Sequence, residues 1–144
     1  MTEGRPDDLL NEHQQRALSA RLTILDRFLY DVEQLLSGSS PRGEMFEVIN
    51  DLTEEQKERV LSLVNEARNE LSSARGQLNL TVKREYVHRW LSGHLSIFWT
   101  MLEDSRAAKL AGFGDVSPAL HAELDPKIEN LISIVNSLKA IVIE

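Results

Sequence analysis

The sequence predicts an all-α protein, an antiparallel up-and-down four-helix bundle formed by one domain over residues 1–144, and three observations carry that expectation. Long segments place apolar residues at alternating steps of four and three, the seam of a packed helix. Start and stop signals for helices fall between those segments. No stretch of useful length alternates apolar and polar residues as a half-buried strand does, and no internal repeat is visible.

The first helix is expected from about residue 7 to residue 37. Its seam is Leu18, Leu22, Leu25, Leu29, Val32 and Leu36, while Ile24, Phe28 and Leu35 widen the stripe and call for more than one neighbour. Arg21 falls inside the same arc, where an unpaired charge is costly. Gly38 suits the left-handed position past the last turn, and the following SGSSPRGE is a loop. With no lysine and no preceding strand, that loop is a linker and not a phosphate cradle.

Met45, Phe46, Val48, Ile49 and Leu52 have helical spacing over two turns, which predicts a short helix over 44–51. Thr53 and Gln56 then form a capping box for a second long helix, with the narrow seam Val60, Val64, Ala67, Leu71, Ala74 and Leu78. Gly76, Asn79 and Thr81 offer a break and new caps. Without one, a helix over 54–111 would be about 85 Å long and would imply a dimer, so the sequence favours the break.

The third long helix is expected from about 81 to Gly112 and Phe113, which suit a Schellman ending. Ser117-Pro118 and Asp125-Pro126 each place a capping residue before a proline. They predict a short helical turn over 118–124 and a separate last helix over 126–143, with the seam Ile128, Leu131, Val135, Leu138 and Val142.

Composition narrows the function classes. The chain holds 23 acidic and 16 basic side chains, a net charge of −7, which disfavours unguided attraction to nucleic acid or anionic membrane. There is no cysteine, so disulfides and thiolate metal sites are excluded and a reducing compartment is permitted. The polar, acidic beginning MTEGRPDDLLNEHQQR lacks the pattern of a signal peptide, and no apolar run has membrane-spanning length. A soluble, cytoplasmic protein is expected.

The stretch EYVHRWLSGHLSIFWTMLE, residues 85–103, carries most of the candidate chemistry. On a helical wheel Tyr86, Val87, Trp90, Leu91, Leu95, Ile97, Phe98, Met101 and Leu102 fill an apolar arc of about 180°. Trp90 and Trp99 fall on opposite sides, and Trp99, at the arc's edge, is a candidate partner surface. Glu85-x-x-His88 is half of a di-iron bundle signature, but the second copy that such a site requires is absent, so no metal or other cofactor is expected. Arg75, Lys83, Arg84 and Arg89 form a basic patch with one acid, Glu85, among them, a candidate phosphate-facing surface. His94 lies in the middle of the apolar arc, where it must hydrogen-bond or lose stability; a core histidine bonded to a carbonyl is expected.

Arg89-Trp-Leu-Ser-Gly-His94 resembles the Arg-x4–6-His motif of HEPN-type ribonucleases, which are small helical bundles that often dimerise. The resemblance covers six residues and a fold class. It implies that Arg89 and His94 act together on RNA phosphate and ribose, although Trp90 stands where that family usually has a polar residue and the wheel sets the pair about 140° apart. The leading expectation is non-enzymatic: an association module that binds a copy of itself or another helical protein through broad apolar stripes. The alternatives are a HEPN-like ribonuclease and an adaptor that binds nucleic acid without cleaving it.

Overall fold

The computed structural model describes residues 9–143, and within them the chain is helical with no strand. Five helices are present: α1 (Glu12–Leu36), α2 (Glu54–Gln77), α3 (Val87–Glu103), the single turn α4 (Ala107–Leu110), and α5 (Pro118–Val142). They divide between two compact units, Met1–Lys83 and Arg84–Glu144.

In the first unit α1 and α2 form a hairpin. The predicted start of α1 near residue 7 falls outside the described residues; the helix begins after Asn11, whose side chain and that of Gln14 cap each other's backbone N–H. Leu29 and Leu36 are buried on the predicted seam, and Leu18, Leu22 and Val32 are half-buried beside them. Arg21 is exposed, so its charge carries no burial cost. Val64 is the buried centre of α2, and the Thr53–Gln56 capping box forms as expected. Glu33 pairs with Arg68 at 2.9 Å, while Ser19 and Leu22 share a cavity with Leu71 and Arg75, so α2 runs antiparallel to α1.

The expected helix over 44–51 does not form. Residues 37–53 make a loop in which Arg42 and Glu47 pair as an isolated bridge and the Gly43 N–H donates to the Phe46 carbonyl. The Phe46 ring lies so close over Gly43 that a Cβ there would come within 2.7 Å of it. Two turns of helix bring too few hydrogen bonds to repay their nucleation without packing, and Met45 and Ile49 are exposed.

The break after α2 does form, and Asn79 makes it. With φ of 53° Asn79 adopts the left-handed conformation, and the Leu80 N–H returns to the Arg75 carbonyl, the long bond of a Schellman motif. Asn tolerates that conformation better than other residues with a Cβ except Asp. Residues 80–86 are therefore not helical, and α3 starts at Val87 and not near 81.

In the second unit α3 and α5 pack along one another. α3 ends at Glu103; α4 and a 3-10 turn over Ala111–Phe113 follow, and the left-handed glycine is Gly114 and not Gly112. Arg106 holds this junction. It donates to Glu103 at 2.9 and 3.3 Å and pairs with Glu129 of α5 at 2.7 Å. These bonds hold the Glu103 carboxyl below its ordinary value and raise the Arg106 guanidinium above its own.

α5 runs without interruption through Pro126, where two helices were expected. Asp125 does not cap a new helix. Its Oδ1 instead accepts the N–H of the buried Ala107, at the first turn of α4, at 2.9 Å, and His121 Nδ1 lies 3.4 Å from Oδ2. Continuity keeps one stripe in register across the proline: Leu120, Leu124, Ile128 and Ile132, each four residues on, are half-buried or buried. Of the predicted seam Ile128 is buried and Val135 and Val142 are half-buried, but Leu131 and Leu138 are exposed and Ile132 is buried, so the buried line departs from the expected one at those positions.

Candidate functional site

Two features could do chemistry or recognition, one in each unit. The first is the outward face of α3. Leu95 is 7% exposed and holds the helix to its unit, whereas Trp90 is 57%, Ile97 58% and Met101 55% exposed. Trp90, His94 and Phe98, four residues apart, form a ladder of rings with centroids 4.3 and 6.1 Å apart. His94 Nδ1–H donates to the Trp90 carbonyl at 2.8 Å. The expected carbonyl bond is thus present, but the histidine is exposed and not in the core. Sequence periodicity put His94 in mid-arc correctly; it could not tell which line of a wide arc receives the neighbouring helix.

Arg89 and His94 are both exposed, and α3 runs unbroken through Gly93 between them. The Arg89 guanidinium lies 5.8 Å from the centre of the Tyr86 ring, within cation–π range. Glu85, on the non-helical segment before α3, and His88, in its first turn, are exposed, and among the described residues no three His, Asp or Glu side chains gather as metal ligands. Trp99 is 38% exposed, on the border between half-buried and exposed.

The second feature is a cavity of about 490 Å³ in the first unit, between α1, the last turns of α2 and the segment that Asn79 folds back. Its apolar wall is Leu22, Leu71, Leu80 and Val82, and four cationic side chains line it: Arg27, Arg68, Arg75 and Lys83. Asp26 is the one carboxylate in the lining, and the Glu33–Arg68 ion pair anchors one side. Ser19 Oγ and Arg68 Nε are buried there without a hydrogen-bond partner among the described residues.

The structure therefore divides the predicted basic patch. Arg75 and Lys83 line the cavity, where Arg27 and Arg68 join them, while Arg84 and Arg89 belong to the second unit and are exposed. Arg27 and Arg68 were missed because they stand alone among acids in the sequence; only the antiparallel return of α2 brings them to Arg75. A search for cations at the 3-4 spacing of facing helices would have found them.

Fold and sites define the protein as an all-helical one, in which no described helix is long and apolar enough to cross a membrane. No family model, no curated protein and no solved structure matches the chain.

Proposed function

We propose that the protein is an association module and that the outward face of α3 is its contact surface, seated against the same face of a second copy. The single observation carrying this reading is the exposed strip Trp90, Ile97 and Met101 on a helix that already buries Leu95. Residues 90–102 include no acidic or basic side chain apart from His94, so two copies can meet across a two-fold axis without placing like carboxylates or ammonium groups together. Removing such side chains from water favours association by about 25 cal/mol per Å² of apolar surface. A cytoplasmic setting belongs to this proposal and is compatible with a cysteine-free chain.

The test is the mass of the full chain in solution by sedimentation over a wide concentration range, for wild type and for Ile97→Asp. Wild type is expected to dimerise, and the variant to remain helical and monomeric. A wild type that stays monomeric overturns the reading. If its tryptophan emission is also that of buried rings, the strip is covered within one chain, as a one-domain four-helix bundle requires.

The ribonuclease reading is supported by the exposure of Arg89 and His94, and the adaptor reading by the exposure of Arg84 and Arg89. Intact RNA after incubation with the protein removes the first, and the absence of salt-dependent RNA binding removes the second.

A further inference from the structure

We propose that the cavity of the first unit binds a small organic oxyanion, a carboxylate or phosphate monoester with an apolar body. The charge distribution is the first argument. In a chain of net charge −7, the lining brings Arg27, Arg68, Arg75 and Lys83 together with only Asp26 among them. A cleft lined mostly by one sign of charge attracts ions of the other, because its low-dielectric walls focus the field.

Hydrogen bonding is the second argument. Arginine forks match the paired oxygens of carboxylate and phosphate. Ser19 Oγ and Arg68 Nε, both donors, are buried in the cavity wall without a hydrogen-bond partner among the described residues, so an oxyanion that draws either one to the cavity surface satisfies it without breaking an existing bond. The Glu33 carboxylate, 2.9 Å from an Arg68 terminal nitrogen, fixes that guanidinium in place and leaves its Nε as the orphan.

The apolar wall sets the rest of the ligand. Leu22, Leu71, Leu80 and Val82 line the same space, and a volume of about 490 Å³ lies within the range of small-molecule sites. A bare inorganic ion fills little of it and leaves that wall wet. The segment supplying Leu80, Val82 and Lys83 is held over the hairpin by the Asn79 turn, so part of the recognition surface is set before any ligand arrives.

The test is calorimetric titration of the full chain with octanoate, with phenyl phosphate and with inorganic phosphate. At least one organic probe is expected to bind at least tenfold more tightly than inorganic phosphate, and the better of the two identifies the head group. Arg75→Gln is expected to weaken that probe about tenfold or more, the loss of one charge-assisted hydrogen bond. Val82→Asn is expected to weaken the organic probe and leave inorganic phosphate unchanged. Should Arg75→Gln lose helicity, Lys83→Gln takes its place. Amide shifts on adding the probe are expected over residues 19–30 and 68–83. The proposal is overturned if neither organic probe binds at millimolar concentration, if inorganic phosphate binds as well as they do, or if the shifts fall instead on α3.

Discussion

The two units are both built from amphipathic helices, yet their sequences and their packing correspond to different degrees. In the α1–α2 hairpin the buried residues Leu29, Leu36 and Val64 are all heptad positions, while Leu25 of the seam and the extra apolar residues Ile24 and Phe28 stay exposed. In the α3–α5 unit the apolar arc is wider, and the buried line is Leu95, Ile128 and Ile132, with Leu131 and Leu138 left outside it. A narrow stripe such as that of α2 has one place for its neighbour, so spacing alone locates its core. A wide stripe offers several lines of similar apolar content, and the choice between them is made by contacts elsewhere: Arg106 to Glu129 and Asp125 to the Ala107 N–H.

That difference is sharpest at two adjacent residues of α5. Ile132→Ala is expected to cost about 2–5 kcal/mol, since it removes buried methylenes and leaves a cavity, while Leu131→Ala is expected to cost less than about 1 kcal/mol. Chemical denaturation of the two variants measures both. The reverse order would restore the heptad seam read from the sequence and displace the line described above.

Pro126 tests how the two lines came to differ. Because α5 is continuous, Pro126 withholds one backbone hydrogen bond in a helix interior, and its ring is exposed. Pro126→Ala is then expected to stabilise the protein by about 1–3 kcal/mol, discounted for the greater freedom of the unfolded chain. Unchanged or lowered stability on the same denaturation curve would mean that proline serves as a first-turn residue of a separate helix.

How far the sequence could be read follows from these cases. Features made by neighbours along the chain were legible: the Thr53 capping box, the left-handed Gly38 and the break before α3 all depend on residues within one turn. Those made by distant partners were not. Asp125-Pro126 has the local form of a helix start, but its carboxylate is engaged eighteen residues away at Ala107. Met45 to Leu52 have helical spacing, but the segment forms a bridged loop and not a helix. Of the candidate site residues, Arg75 and Lys83 were visible as a basic run, whereas Arg27 and Arg68 join them only through the hairpin.

The smallest expected effect concerns the junction that selects the buried line in the second unit. Glu103 accepts two hydrogen bonds from Arg106, which lowers its pKa in the folded protein below the ordinary value of 4.5. A carboxylate depressed on folding contributes stability that is fully present above its unfolded pKa and is lost as pH falls through the folded one. Wild type should therefore lose this contribution on acidification from about pH 4.5 downward, and Glu103→Gln, which cannot ionise, should show a flatter stability profile over that window. The side chains are only partly covered, so solvent screening keeps the difference small and added salt reduces it further. Melting temperature against pH for the two proteins provides the comparison. Parallel curves below pH 4.5 would mean that the Arg106–Glu103 pair does not hold the junction, and that the choice of buried line in α5 rests on Asp125 and the packing of Ile128 and Ile132 alone.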